Sequence, residues 1–467
     1  MKLLERGGAT PELDEALALI DEVVSPESPS EITLRATLVR ARVALERTEA
    51  ETCLAALAAA PEAEDDRTRF DVALMRGTAA SHLGDLVAAR RALGEAARWA
   101  QALGDDVAWG RVGNNLGILA YRQGDFSEAA RAWEETGRAK SRAGDLRGER
   151  IALSNRGLAL REAGDVEEAS VCAQGALALA DRTGDLRGRV TAHLSLAQLW
   201  LDAGSVRGAE QHLRALDGIG VASALVRADV ELLWIRWLLA QGDTEVAVAR
   251  ARRLQEEATR QKLATIIPEA WRLAYLGGLE RYEAPAGDVI SEGQAHLKGL
   301  AGPEVPLRAC LVHALTQVGR FPEAERELRA LVRTLEDRLM PGDTAALHPL
   351  MRAATMLGAD EAMDTLEVLR EQVDAAQAGW RRGLEERLTP EPPPNTYEKI
   401  SSNRFDEPKE SAQFMQGKIQ DNDTELAPSG TSGETLNTMI HSLRDQDLGT
   451  LSPWAEALRE AVGATGC

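Results

Sequence analysis

Residues 115–130 read NLGILAYRQGDFSEAA and residues 155–170 read NRGLALREAGDVEEAS. Both segments carry a glycine at the third place, a Gly-Asp pair at the tenth and eleventh, and an alanine at the fifteenth. Apolar residues at helical spacing flank the pair on either side. Glycine adopts the left-handed conformation that ends a helix, and an aspartate beside it can accept from the free N–H groups that open the next one. The stretch therefore predicts helix, tight turn, helix. Gly84-Asp85, Gly104-Asp105, Gly144-Asp145 and Gly184-Asp185 extend the series, and Gly204-Ser205 and Gly242-Asp243 continue it. Segments 40 residues apart agree better than neighbours 20 apart. The repeating unit is thus a helical hairpin, and an array of such hairpins is a solenoid.

The surrounding composition fits. No proline lies between Pro61 and Pro268, so helices can run there with only short turns between them. About one residue in six is alanine and aromatics are 4% of the chain, which suits closely packed helices. Gly77, Gly117 and Gly157 occupy the place where the two helices of a hairpin cross most closely, and a side chain there would push them apart. Ala89, Ala129, Ala169 and Ala209 take the matching place on the second helix, while Leu93 and Trp133 fill the gap to the next hairpin. Trp99, Trp109, Trp133, Trp200, Trp234 and Trp271 are read as packing residues.

These features resemble the tetratricopeptide-repeat (TPR) family, with its Leu-Gly, its Gly-Asp turn and the alanine that follows. The longer unit is similar to the 40-residue form of kinesin light chain, spindle-orientation adaptors and bacterial regulatory proteins. The resemblance implies an all-α solenoid of antiparallel hairpins wound as a right-handed superhelix over residues 1–387, with eight or nine hairpins. A first hairpin fits 32–60, and a last fits Thr344–Glu386 with its turn near Gly358. Leu13, Ala16, Leu17, Ile20 and Val23 form a helical stripe at the N-terminus. It reads as a second helix without its first, so self-association through it, or membership of a longer protein, is expected. Residues 388–450 open on a proline-rich run, are poor in alanine and are dominated by Ser, Thr, Gly, Asp and Gln, the composition of a disordered linker. Residues 451–467 read as a short amphipathic helix started by Ser452, Pro453 and Glu456.

Several function classes are disfavoured. The formal charge is −20, a poor match to nucleic acid or anionic lipid. Cys53, Cys172, Cys310 and Cys467 form no zinc or redox spacing. No phosphate-binding loop, dinucleotide fingerprint or metalloprotease motif is present, and the seven histidines are scattered singly. Asp421-Asn422-Asp423 begins like a calcium loop but has Leu426 and Ser432 where glycine and glutamate are required. The reading is a cytoplasmic protein, not an enzyme, with no cofactor and no metal.

What remains is recognition. In the TPR family the first helix of each hairpin lines a concave groove. The resemblance puts Arg111, Asn114, Ile118, Tyr121 and Arg122 there, then Ile151, Ser154, Leu158, Arg161 and Glu162. Thr191, Leu194, Gln198, Leu201 and Asp202 follow, and then Asp229, Leu232 and Arg236. The expected partner contacts are Arg111, Asn114, Tyr121, Arg122, Ser154, Arg161, Gln198 and Arg236. Guanidinium forks suit a carboxylate, so a peptide or protein ligand with acidic or carboxylate groups is expected; the alternative is that these arginines only pair with Glu162, Asp202 and Asp229. The resemblance implies a non-enzymatic interaction module in bacterial signalling or transcriptional regulation. The alternatives are a regulatory fragment of a larger kinase or ATPase, or a small-molecule sensor.

Overall fold

The structure, a computed structural model, describes residues 17, 18, 20, 24, 30–219, 223–280, 288–298 and 305–387. The expected tail (388–450), its terminal helix and most of the N-terminal stripe lie outside the described residues. Within them the chain forms eighteen α-helices and no strand. They are α1 (Ser30–Glu46), α2 (Ala50–Ala58), α3 (Asp66–His82), α4 (Leu86–Leu103), α5 (Asp106–Arg122), α6 (Phe126–Arg142), α7 (Leu146–Glu162), α8 (Val166–Thr183) and α9 (Leu186–Asp202). Then come α10 (Val206–Ile219), α11 (Ala224–Gln241), α12 (Thr244–Gln261), α13 (Ile266–Glu280), α14 (Val289–Lys298), α15 (Val305–Gln317) and α16 (Phe321–Asp337). A 3₁₀ turn over Pro341–Ala346 leads to α17 (Leu347–Leu357) and α18 (Asp360–Arg387). Each helix packs on its chain neighbours, and first helices also touch first helices. This is an all-α solenoid.

The Gly-Asp turns work as their chemistry demands. Gly84, Gly124, Gly164 and Gly204 have φ of 79°, 75°, 86° and 67°. At the second of these turns the Asp125 N–H reaches Ala120 O at 3.0 Å and the Gly124 N–H reaches Tyr121 O at 2.9 Å, which closes the last turn of α5. The carboxylate of the same Asp125 then accepts the Glu128 N–H at 2.9 Å and opens α6. Asp85, Asp145, Asp165 and Asp185 cap α4, α7, α8 and α9 in the same way. One dipeptide thus ends a helix and begins the next, and α3, α5, α7 and α9 start at residues 66, 106, 146 and 186.

The crossing residues also behave as expected. A Cβ on Gly77 would lie 2.7 Å from Leu93, and one on Gly117 would lie 2.7 Å from Trp133. Ala89, Ala129, Ala169 and Ala209 are fully buried opposite them. Leu93 joins Val112 and Leu119 of the next hairpin in one cluster, so each hairpin buries its apolar face on its neighbour. Burial of each such large side chain contributes roughly 1.5–3 kcal/mol.

The end of the array does not simply project onward. Helix α18 packs with its N-terminal half on α16 and α17, through Leu366, Leu369 and Val373. Its C-terminal half reaches back to α8 and α9. Leu384 is buried there among Val166, Ala169, Trp200 and Ala203. The segment before α17 also returns: Arg338 stacks on the Phe126 ring at 4.6 Å and donates to Gly124 O at 3.2 Å, and Met340 packs beside Leu158 and Leu160.

Candidate functional site

Helices α3, α5, α7, α9 and α11 present a polar ladder whose rungs join one hairpin to the next. Arg111 donates to Asp71 at 3.0 Å and lies over the Phe70 ring at 5.5 Å. Arg122 donates to the Ser81 carbonyl and to Ser81 Oγ, the latter at 3.2 Å. Burial holds the Arg122 guanidinium below its ordinary pKa, and the same burial, with Arg122 close by, lowers His82. Thr78 donates to Asn115 at 3.2 Å.

Farther along, Asn114 is buried and accepts from Trp133 Nε1 at 3.2 Å and from Asn155 at 3.4 Å. Tyr121 is 1% exposed, between Phe126 and Trp133 at ring separations of 5.0 and 6.0 Å. Asn114 and Tyr121 therefore brace the wall from within. Ser154 Oγ is shielded from solvent and has no hydrogen-bond partner among the described residues.

The densest part of the ladder lies at the C-terminal ends of α7, α9 and α11. Arg161 Nε donates to Asp202 at 2.6 Å and its terminal nitrogen to Glu162 at 2.8 Å. Arg236 donates to the other oxygen of Asp202 at 2.9 Å. With its amide oxygen turned toward Arg161, Gln198 accepts at 2.8 and 3.2 Å. The side chain of Asp202 is 1% exposed. Burial pushes its carboxyl upward, but Arg161 and Arg236 outweigh that and hold it below the usual range. Glu162, also buried and next to Asp202, is pushed upward by burial.

The structure thus brings Arg161, Gln198 and Arg236 into one network, and keeps Arg111, Arg122 and Ser154 at separate rungs. The pairing of Arg161 and Arg236 with Asp202 is the arrangement the sequence left open beside ligand binding. Two residues of this neighbourhood have no signature in the repeats. Arg338 and Asp343 arrive from the return segment; the Arg338 charge lowers both Glu162 and Asp343, and Glu162 in turn raises Asp343. Burial first, and Glu162 second, raise Asp343 to about 6. Among the described residues no group of three or more potential metal ligands occurs, and no helix is long and apolar enough to cross a membrane.

The fold has solved counterparts. It is similar to a Rap protein crystallised with Competence and Sporulation Factor, with a TM-score of 0.55 and 14% identity over 76% of this chain and 100% of that one. It is also similar to the apo form of RapI, with a TM-score of 0.50 and 10% identity over 83% of this chain and 96% of that one. Both neighbours are TPR-type helical solenoids. At these identities the likeness is one of fold. No family model and no curated protein matches the chain.

Proposed function

We propose that the protein is a non-enzymatic regulatory module whose groove binds a peptide or a segment of a partner protein. The observation that carries this reading is the ladder. A solenoid needs only apolar contacts to stack its hairpins, yet here polar and charged side chains stand along the first helices of five successive hairpins. Such a face matches the alternating carbonyls, N–H groups and side chains of an extended peptide. The similar Rap protein was crystallised with a factor bound, which supports the same use of this fold. Arg111, Arg122 and Arg236, each half-buried, are the proposed readers of acidic side chains or a terminal carboxylate. Gln198 would contact the ligand backbone, Ser154 would do so only once its hydroxyl is uncovered, and Asn114 and Tyr121 would hold the helices that carry them. Arg161 would act through Gln198 and Asp202. The repeats would be of the 40-residue TPR form, and the setting bacterial signalling in the cytoplasm.

The test is a random-peptide display library panned on the immobilised full chain. Recovered peptides are then measured by fluorescence anisotropy against the wild type and Arg111→Ala. Enrichment of acidic peptides whose affinity falls at least about tenfold in the variant, the loss of one charge-assisted contact, is the expected result. Peptides that bind both proteins equally, or no enrichment at all, would overturn the assignment.

A further inference from the structure

The contacts of α18 fall into two sets separated along one continuous helix. Leu366, Leu369 and Val373 belong to the core of the last hairpins, whereas Arg381, Gly383, Leu384 and Arg387 touch hairpins far earlier in the chain. Arg381 donates to Ala203 O at 3.2 Å and to Gly204 O at 3.1 Å. Arg387 pairs with Glu167 at 3.3 Å. The approach is close: a Cβ on Gly383 would lie 2.4 Å from the Glu167 carboxylate, and one on Gly204 would lie 2.9 Å from the Arg381 guanidinium. A helix of 28 residues is about 42 Å long and does not stretch. It therefore fixes the distance between the last hairpins and the turns at Gly164 and Gly204. Arg338 and Met340 fix the turn at Gly124 in the same way.

The chemistry of the second set differs from that of the first. Neighbouring hairpins are joined by continuous apolar surface, whereas the returning segments hold on by arginines to main-chain carbonyls, an exposed ion pair, and three apolar side chains, Trp380, Leu384 and Met340. That makes it a more polar and smaller seam than the ones between neighbouring repeat hairpins, and a seam of this kind opens before those hairpins separate. We propose that the C-terminal turns of α18 and the segment 338–346 form a releasable clasp that holds the solenoid closed and controls entry to its groove. Resting on the groove reading above, the control follows from position. The segment 338–346 lies against α7, over the ends where Arg161, Glu162 and Asp202 are buried, so a ligand that reaches them must first lift it.

Two constructions of the full chain test this. The variant Arg381→Glu/Leu384→Asp removes the seam. It should keep its helical circular dichroism, enlarge its radius of gyration by small-angle scattering, and raise amide exchange in 376–387 by about tenfold or more. Unchanged scattering and exchange would overturn the clasp. Glu167→Cys with Gly383→Cys, in a Cys467→Ser background, locks it. Glu167 Cγ lies 2.6 Å from the position of a Gly383 Cβ, which brings the two Cβ atoms within about 4 Å, the span of a disulfide. Ready oxidation is expected, and failure to cross-link would also overturn the clasp. The oxidised chain should bind a panned peptide with its overall association slowed at least about tenfold, restored by dithiothreitol, because the open fraction that the step after first encounter requires has been removed. Equal on-rates before and after reduction would refute the control of entry. A chain that binds no panned peptide in either state refutes the groove reading instead, while scattering and exchange still judge the clasp.

Discussion

Replacing Arg161 by methionine should destabilise the protein severely, because this expected groove residue is also a buried strut. Arg161 is 8% exposed. It holds Asp202 at 2.6 Å and Glu162 at 2.8 Å, and the side chains of those acids are 1% and 5% exposed. Breaking a buried pair from one side costs about 3–5 kcal/mol, because a charge is left without compensation. Arg236 still reaches Asp202 at 2.9 Å, which places the expected cost near the lower end, about 3 kcal/mol. Urea unfolding followed by circular dichroism measures the loss, and hydrogen exchange should localise it to α7 and α9. The pH dependence has a definite sign. In the wild type the lowered Asp202 carboxyl contributes stability that is present at neutral pH and lost as pH falls through its folded pKa. Without Arg161 burial dominates and the carboxyl rises, so the gap between variant and wild type should narrow as pH falls from 7 to 5. Asp202→Asn on top of Arg161→Met should cost less than the two single changes summed. A cost below about 1 kcal/mol for the single variant, together with additive costs in the double, would refute the reasoning.

Other changes separate packing from conformation and from charge. Gly157→Leu meets Ala169 O and Cys172 Cβ, each 3.2 Å from the glycine's own Cβ position, and should lose about 1–3 kcal/mol through overpacking in thermal unfolding. Gly164→Ala has open space around it but a φ of +86°, so its loss of about 1–2 kcal/mol should come from backbone strain alone, and Gly164→Asn should recover part of it. Asp343 is raised from 3.8 to about 6, so the folded state holds its proton more tightly than the unfolded chain. Stability should therefore rise as pH falls from above 6 toward 4, by up to about 3 kcal/mol. Asp343→Asn, which leaves Glu162 and Arg338 in place, should flatten that part of a melting-temperature profile; an unchanged profile would remove Asp343 from the account.

The fold was legible because its information is local and repeated. Gly124 and Asp125 define a turn with their own backbone and side chain, and the same pair does so at 84, 104, 144, 164 and 184 without help from distant residues. Gly117 and Trp133, or Gly77 and Leu93, lie 16 positions apart, within one hairpin, so a period of 40 carries the contact as well as the element. The last hairpin was legible for the same reason, with its turn at Gly358 where φ is 62°. Nothing local announces the return of α18. Arg381 meets Gly204 across 177 positions and Arg387 meets Glu167 across 220, and neither partner departs from its repeat in a way that marks it.

The candidate site was legible by half for a related reason. Periodicity picks the face of a helix but not what lies in front of it. The resemblance to the repeat family placed Arg161, Gln198, Asp202 and Arg236 on one face, and they do meet. They bury one another, however, and the returning segment adds Arg338 and Asp343 beside Glu162; burial decides whether an arginine is a reader of ligands or a strut. Arg161 and Arg111 show the difference. The first saturates two internal acids and an amide; the second, at 13% side-chain exposure, holds Asp71, whose own side chain is 21% exposed. A ligand carboxylate can exchange with Asp71 in the presence of water, whereas exchange at Asp202 would strand a buried charge. Recognition by this groove should therefore start at the N-terminal rungs, on α3 and α5, and reach the network on α7 and α9 only when the segment 338–346 has lifted. Charge reversal at Arg111 should accordingly weaken the first encounter with an acidic peptide and lower its on-rate. Loss of the clasp should instead speed the slower step that follows, and stopped-flow fluorescence resolves the two as separate phases. A single phase that responds equally to both changes would mean that the groove opens and binds in one step.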